Sequence, residues 1–157
     1  MPDLSGAVFK MKLFKSKEQN LVHYVTGVTY ARIPIFRGDE ICSLFIEALS
    51  ETRLKDPFKL IGYVLMPDHI HFFAGFAPDA IHLSAWIKSL KNALSKSLRA
   101  AGITAPHWQK GFFDHILRSD ESYTVKWDYV RMNPVRANLV RSAEEWEFQG
   151  EIFPLEP

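Results

Sequence analysis

Two apolar runs separated by a Pro-Asp pair constrain the fold of this 157-residue chain more than any other feature. Residues 58–66 and 69–76 are together rich in Phe, Ile, Leu, Val and Tyr, which favour β-strands. Pro67-Asp68 between them is typical of a turn or bulge. Because strands that are joined by so short a turn pair antiparallel, the sequence predicts a hairpin of two neighbouring strands.

Strand and helix patterns alternate along the rest of the chain. Apolar residues recur at helical spacing after Asp39, a suitable N-cap, and again from Leu83 until Gly102, a suitable C-cap. Asn133-Pro134 interrupts a third helix, because the residue before a proline is pushed away from helical dihedral angles. The order β-α-β-β-α-β-α predicts an α+β fold, an antiparallel β-sheet with helices packed on one face. The predicted elements besides the hairpin are a strand at 21–36, a helix at 39–55, a helix at 83–101, a strand at 111–118 and a helix at 121–132.

The third strand carries a pair of histidines in alternating positions. Side chains two residues apart on a strand point to the same face, so His69 and His71 direct their imidazoles to one place while Ile70 faces the other way. Two converging imidazoles are half of a metal site. The structural alternative is a pair of surface histidines on a half-buried strand. Phe73 excludes a longer His-x-His-x-His motif.

The helix before the Asn-Pro interruption carries a second candidate pair. Tyr129 and Asn133 are four residues apart and therefore share a helix face. The Asn133 amide oxygen can bind a hard cation, and the Tyr129 hydroxyl can act as a nucleophile. The structural alternative is a partly buried tyrosine beside a helix terminator. Tyr123 is a competing nucleophile, but it lies on a different helix face from Asn133, so we favour Tyr129.

Three segments in this order give the chain a family resemblance. The segments Leu-Met-Pro-Asp-His-Ile-His-Phe (65–72) and Trp-Asp-Tyr-Val-Arg-Met-Asn-Pro-Val-Arg-Ala-Asn-Leu-Val (127–140) resemble the REP-associated tyrosine transposases. Residues 107–115, His-Trp-Gln-Lys-Gly-Phe-Phe-Asp-His, are similar to that family's Trp-Gln-x-x-Phe region. These are single-tyrosine transposases of the HUH (His-hydrophobe-His) superfamily. The resemblance covers roughly residues 21–148 and implies a ferredoxin-like or RRM-like antiparallel sheet.

The resemblance also implies a reaction and the residues that carry it. In such proteins the two histidines, here His69 and His71, hold a divalent ion together with the polar residue at Asn133. The tyrosine, here Tyr129, attacks a phosphodiester of single-stranded DNA and forms a 5′-phosphotyrosine link with a free 3′-hydroxyl. A phenol with a pKa of about 10 is a weak nucleophile at neutral pH, so a nearby cation assists it. Two imidazoles and an amide suit Mg²⁺ or Mn²⁺.

Basic and aromatic residues near these motifs are candidate DNA contacts, because cations neutralise phosphates and aromatic rings stack unpaired bases. The structural alternative is a solvated helix face with tryptophans in the core. His107 and His115, as lone histidines, are more typical of hydrogen-bonded structural residues than of proton carriers. The candidate DNA-binding residues are Lys88, Lys91, Lys96, Arg99, Trp108, Lys110, Arg118, Lys126, Arg131 and Arg136.

The charge of the chain is unevenly distributed. Its 19 Lys and Arg against 18 Asp and Glu give a net charge of only +1, a total that does not favour a strongly basic nucleic-acid binder. Residues 86–141, however, contain ten basic and four acidic residues, whereas residues 142–157 contain five acidic and no basic ones. The basic excess therefore lies in the segment that contains Tyr129. We divide the chain into an N-terminal arm (1–20), a transposase domain (21–141) and an acidic tail (142–157).

Cysteine content and hydropathy bound the location of the protein. Cys42 is the only cysteine, so an intrachain disulfide and a four-cysteine zinc site are excluded, which fits a reducing cytoplasm. No run of about 18 apolar residues predicts a membrane span. We expect a cytoplasmic, nucleoid-associated protein, and the sequence is compatible with both a monomer and a homodimer.

Three functions are compatible with these observations. The first is a metal-dependent transposase or endonuclease that cleaves and rejoins single-stranded DNA at hairpins. The second is a domesticated regulator that binds hairpin DNA with little or no cleavage. The third is a structural metal-binding domain without a DNA partner. The intact set of His69, His71, Tyr129 and Asn133 favours the first, because a protein that only binds DNA does not need it.

Overall fold

The predicted hairpin forms two neighbouring strands of the sheet. The computed structural model describes residues 21–55, 59–76, 83–117 and 120–151. Within them, β2 (Lys59–Leu65) pairs antiparallel with β3 (His69–Phe76). The turn is closed where the Met66 N–H donates to the His69 carbonyl at 2.8 Å. The hairpin prediction is therefore confirmed.

Three further strands extend this hairpin into one antiparallel sheet. They are β1 (Leu21–Val28), β4 (Phe113–Leu117) and β5 (Gln149–Glu151). The strand order is β4-β1-β3-β2-β5, and all four neighbouring pairs are antiparallel. The first four strands have the order 4-1-3-2 that a ferredoxin-like fold requires, so the predicted α+β class and antiparallel sheet are confirmed.

The four described helices lie on both faces of the sheet. They are α1 (Asp39–Lys55), α2 (Leu83–Ala100), α3 (Asp120–Arg131) and the single turn α4 (Asn133–Arg136). Helices α1 and α2 share one face, as predicted, but α3 packs on the other, so the expectation of helices on one face alone does not hold for α3. Within the described residues, no helix combines the length and apolar character that a membrane span needs.

Strand alternation explains why both faces are covered. On β3, Ile70 and Phe72 point into the apolar core under α1 and α2, whereas Phe73 points into a second core that includes residues of α3. A strand that is apolar on both faces needs cover on both, because each exposed apolar face forfeits its burial energy. The second core contains Tyr123 and Trp127 of α3, and both are at most 7% exposed. The histidines of β3 lie on this same face, beside α3.

The first strand is shorter than its sequence predicts. The prediction of a strand through residue 36 is wrong, because β1 ends at Val28 and the chain then makes a short turn at Tyr30–Arg32. Ala31 and Arg32 have φ angles of 51° and 52°, a left-handed conformation that no strand accommodates. The Thr29 hydroxyl stabilises this turn because it is a hydrogen-bond donor to the carbonyls of Ile33 and Asp68, at 2.8 and 3.0 Å.

The acidic C-terminal segment contributes to the sheet. Residues 149–151 form β5 on the free edge of β2, so the sheet extends beyond residue 141. The Trp146 indole donates to the Leu65 carbonyl at 3.1 Å, and Arg131 of α3 forms an ion pair with Glu144 at 2.6 Å. The segment therefore packs beside α3. The predicted N-terminal arm (1–20) lies outside the described residues.

The second core should dominate the stability of the α3 face. Phe73 is fully buried and its ring contacts those of Tyr24, Tyr123 and Trp127. We predict that Phe73→Ala lowers the free energy of unfolding by about 3–5 kcal/mol, because it leaves a cavity among rigid rings. Urea unfolding measures this change. Phe113→Ala is the matched control, since Phe113 is 57% exposed and should cost less than about 1 kcal/mol. Equal losses in both variants would contradict the assignment of Phe73 to the core.

Candidate active site

The two histidines of β3 lie side by side on the face that α3 covers. Their ring centroids are 4.7 Å apart and the ring planes are nearly perpendicular, at 84°. The Ile70 side chain between them is buried in the opposite core, as the strand alternation predicts. His71 is buried and His69 keeps 19% of its side-chain surface exposed. The pair therefore has one inner and one outer member.

Two neighbours on β1 hold the His71 ring. Thr26 is the direct cross-strand partner of His71, and its Oγ1 atom lies 2.9 Å from the His71 Nδ1 atom. The hydroxyl of Tyr24 lies 2.8 Å from the same nitrogen. Because Nδ1 is engaged by these hydroxyls, the Nε2 atom is the one available to a ligand. Such hydrogen bonding to the remote nitrogen orients metal-binding histidines in proteins.

His71 is held in its neutral form. Burial lowers the pKa of His71 to about 3, and the positive charges of His69, Lys126 and Arg136 add to this effect. A neutral imidazole is the form that binds a metal ion, since its nitrogen lone pair is free. The same cations make this side of the sheet attractive to an anion such as a phosphate.

An aspartate orients the outer histidine. The Oδ1 atom of Asp68 lies 2.6 Å from the His69 Nδ1 atom, and Arg32 lies 3.4 Å from the other Asp68 oxygen. Partial burial raises the pKa of Asp68, but the hydrogen bond and charge of His69 together with Arg32 outweigh it and bring the pKa below its usual value. The ionised carboxylate fixes the His69 ring through Nδ1. The Nε2 atom of His69 is therefore also the one presented to a ligand.

Tyr129 is the exposed tyrosine of this face. Its side chain lies on α3 and is 62% exposed. Burial raises the pKa of Tyr24, and the nearby Tyr129 raises it further, against lowering effects of Thr26 and Arg136. Tyr129 therefore lies close enough to Tyr24, which contacts His71, to affect the pKa of Tyr24. Tyr123, in contrast, is 2% exposed and its hydroxyl donates to Glu151 at 2.9 Å, so it belongs to the core.

Arg136 connects the tyrosine with the asparagine. Its guanidinium lies 4.1 Å from the centroid of the Tyr129 ring and donates to the Tyr129 carbonyl at 2.7 Å. The same nitrogen also contacts the Asn133 Oδ1 atom. The short helix α4 makes this possible, because it follows α3 after Met132 alone and places Arg136 seven residues, about two helical turns, after Tyr129 on the same face. Arg136, predicted as a DNA contact, is therefore a direct neighbour of the predicted nucleophile.

The donor set can be compared with the requirements of a divalent cation. The described residues contain no group of three or more His, Cys, Asp or Glu side chains arranged to hold a metal ion. The two imidazoles, each fixed at Nδ1, fit such an ion through their Nε2 atoms. Asn133 fits it only if its oxygen uses a second lone pair or is released by Arg136.

The predicted DNA-binding residues fall on two sides of the sheet. Those on α2 lie on the face opposite the histidines, because α2 packs in the other core. Lys91 there is already engaged, since its Nζ atom donates to the carbonyls of Gln109 and Gly111, and burial lowers its pKa. Arg118 lies outside the described residues, and Lys110 is exposed in the loop before β4. The α2 residues are Lys88, Lys91, Lys96 and Arg99, and those near the histidine face are Lys126, Arg131 and Arg136.

Trp108 and His107 both contact Ser95 of α2, on the side of the sheet opposite the histidine pair. The Trp108 indole donates to the Ser95 hydroxyl at 3.1 Å and its ring packs against Phe36. The His107 ring is 2% exposed and hydrogen-bonds to Ser95 and to the Ile103 carbonyl. The structure thus places both aromatic groups away from the histidine pair.

Local sequence pattern indicates no functional role for three residues that support the site. Asp68 is predicted as part of a turn, although its position directly before His69 is a usable signal. Tyr24 and Thr26 are two apart on a strand and must share a face, but only the register of β1 against β3 shows which residue they meet. That register depends on contacts between segments more than 40 residues apart. Local pattern carries no information about it.

Known proteins resemble this chain in sequence and in fold. The chain is 25% identical over 154 residues to a protein named as a REP-associated tyrosine transposase of Haemophilus influenzae, which covers 85% of each chain. It is 24% identical over 101 residues to the REP-associated tyrosine transposase of Escherichia coli K12, covering 64% of this chain and 59% of that one. The solved structure of a REP-associated tyrosine transposase bound to a REP hairpin shares the fold, with a TM-score of 0.73 at 20% identity over 83% of this chain and 76% of that chain.

A family model extends the match through the site itself. The model described as IS200-like transposase matches residues 16–133, well over half of the chain. The matched range contains the histidine pair on β3, Tyr129 on α3 and Asn133 at its last position. From the match and from the shared fold, we conclude that this chain belongs to the family of IS200-like transposases.

Proposed function

We propose that this protein is a metal-dependent transposase or endonuclease that cleaves and rejoins single-stranded DNA at hairpins through a 5′-phosphotyrosine intermediate. One observation carries the proposal: an exposed tyrosine, Tyr129, lies on the same side of the sheet as the two oriented imidazoles of His69 and His71, of which His71 is held neutral. Membership of the IS200-like transposase family supports the reaction class, and the geometry of the site supports the roles of these residues.

The proposed reaction is a transesterification. The Tyr129 hydroxyl attacks the phosphorus of a phosphodiester, a bond from phosphorus to the tyrosine oxygen forms, and the bond to the 3′-oxygen breaks. The phenol loses its proton and the departing 3′-oxygen gains one, so neither water nor a nucleotide cofactor is consumed. Because the phosphotyrosine diester replaces one phosphodiester bond with another, a 3′-hydroxyl can attack it in reverse and rejoin the strand.

The proposed cation ligands are His69 and His71 through Nε2, with Asn133 as the third. Bound Mg²⁺ or Mn²⁺ would neutralise charge on the phosphoryl oxygens and favour phenolate character at the nucleophile. The hydroxyls of Tyr24 and Thr26 keep the inner imidazole in place, and Asp68 does the same for the outer one. Arg136 restricts the Tyr129 ring by lying over it.

Hairpin or single-stranded DNA is the proposed partner. The REP-associated relative was solved bound to a REP hairpin, and the fold of that relative is shared over most of this chain. Lys126 and Arg136 supply positive charge beside the histidines, where a scissile phosphate would lie. The cations of α2 lie on the other side of the sheet and would contact a more distant part of the DNA.

A second candidate function rests on a specific contact. Because Arg136 engages the Asn133 oxygen, the third cation ligand is already occupied by a guanidinium. A protein in which this contact persists would bind hairpins as a regulator and cleave them little or not at all. Covalent chemistry distinguishes the two functions.

The assignment of the nucleophile predicts a covalent adduct. Wild-type protein incubated with a labelled hairpin oligonucleotide and Mn²⁺ should form a protein–DNA adduct that survives denaturing electrophoresis, and Tyr129→Phe should form none. Tyr123→Phe is the control, because Tyr123 is buried and should still allow the adduct. An adduct in Tyr129→Phe would show that another residue attacks. Tight hairpin binding without an adduct in wild type would favour the regulator.

The assignment of the metal ligands predicts a loss of cation binding. His71→Ala should weaken Mn²⁺ binding, measured by isothermal titration calorimetry without DNA, by at least about tenfold, because it removes one of two imidazole donors. His115→Ala is the matched control, since its partner in the sheet is Tyr24 and it is exposed on the same face. Unchanged Mn²⁺ affinity in His71→Ala would refute the proposed ligand set.

Arg136 is expected to have opposite effects on cation binding and on catalysis. Arg136→Met should strengthen Mn²⁺ binding, because it releases the Asn133 oxygen. At saturating Mn²⁺ it should also slow adduct formation by about tenfold or more, because Tyr129 loses a cation–π contact and a charge-assisted hydrogen bond to its carbonyl. Arg37→Met, which removes an exposed charge outside the site, should change neither value. If Arg136→Met lowered Mn²⁺ affinity, the proposed competition for Asn133 would be wrong.

A further inference from the structure

An exposed phenylalanine lies in line with the histidine pair. Phe113 begins β4 and is 57% exposed. It is the cross-strand partner of Thr26, which is in turn the partner of His71. Direct partners in a sheet project from the same face, so Phe113, Thr26 and His71 form one row across three strands. With strands about 4.8 Å apart, Phe113 lies about 10 Å from His71 along this row.

The ring of Phe113 is supported on one side and open on the other. It meets the Tyr24 ring edge to face, with centroids 6.3 Å apart and planes at 72°. Tyr24 is buried beneath the ammonium of Lys126, which lies 4.9 Å from its ring centroid. An open aromatic ring thus has a positioned cation close by. This combination of a stacking surface and a phosphate partner is what proteins use to bind unpaired nucleotides.

We propose that Phe113 is a stacking platform for an unpaired nucleobase next to the scissile phosphate. This inference rests on the proposed function, because that function places the phosphate at the histidine pair. A base that stacks on Phe113 would leave its own phosphate near Lys126 and direct the strand along the row toward His71. The platform would take any base, since every base has a π-face, and would reject a paired one whose face is covered by its neighbours.

The position of the ring favours a base over a second copy of the chain. A copy that paired with the outer edge of β4 would bind through backbone groups in the plane of the sheet. The Phe113 ring instead stands on the face of the sheet, in the same row as His71. Ile116 lies on the opposite face of the same strand and is 37% exposed. A substitution of Ile116 therefore changes the same edge strand without changing the proposed platform.

The test measures stacking directly. A DNA hairpin is prepared with a single-stranded oligothymidylate flank that carries one 2-aminopurine at successive positions, and it is bound to the full chain in a Tyr129→Phe background. At one or two flank positions, wild-type Phe113 should quench 2-aminopurine fluorescence. Phe113→Leu should abolish this quenching and weaken binding by about 5- to 150-fold, the factor that corresponds to one stacked base.

Controls separate the platform from a general effect on folding. Phe113→Tyr should restore both quenching and affinity because it keeps the ring, and Ile116→Ala should leave both within about twofold of the parent protein. Unchanged quenching in Phe113→Leu would overturn the proposal. A change of mass on size exclusion in Phe113→Leu, with DNA affinity unchanged, would also overturn it and assign the ring to a contact between copies.

The platform and the proposed cleavage can fail separately. With Tyr129 restored and Mn²⁺ present, Phe113→Leu should form the covalent adduct only at higher DNA concentrations than the parent protein, since the reacting groups are intact but the contact to the base is lost. Quenching without any adduct in the wild-type protein would support the platform and refute the cleavage function. An adduct in wild type, together with no quenching at any flank position, would refute the platform and leave the cleavage function standing.

Discussion

The site depends on the alignment of β1 with β3. This register places Thr26 opposite His71 and brings the Tyr24 hydroxyl to the same ring nitrogen. A buried imidazole needs partners, because an unpaired polar group inside a protein is costly. A shift of the register by one residue would turn these hydroxyls to the other face and leave the ring unsatisfied. The packing of the sheet and the orientation of the predicted ligand are therefore one constraint.

Electrostatics adds a second layer to this arrangement. His71 is neutral and surrounded by the positive charges of Lys126 and Arg136. Cations collected around a neutral donor are unfavourable for one another unless an anion joins them, so the arrangement is suited to a phosphate. Asp68, a nearby negative group, is already paired with His69 and Arg32. Its charge is therefore not available to neutralise Lys126 and Arg136.

Local sequence pattern predicted those features that depend on the period of a single element. The shared face of His69 and His71 follows from strand alternation, and the antiparallel hairpin follows from the Pro67-Asp68 turn. The pattern failed where distant segments decide the outcome. The face on which α3 packs depends on Phe73 and its partners, and the strand β5 forms only because the edge of β2 is available to it. Lys91 belongs with these, since a lysine on a basic helix side is bound by loop carbonyls that follow twenty residues later.

The contacts of α3 with the C-terminal segment have a consequence for how the nucleophile is held. The start of α3 is tied to β5 through Tyr123 and Glu151, and its end is tied to the residues before β5 through Arg131 and Glu144. The helix that carries Tyr129 is therefore contacted near both ends by residues that follow it in the sequence. A chain that ended before Glu144 would keep His69, His71, Tyr129 and Asn133 but would lose both of these contacts.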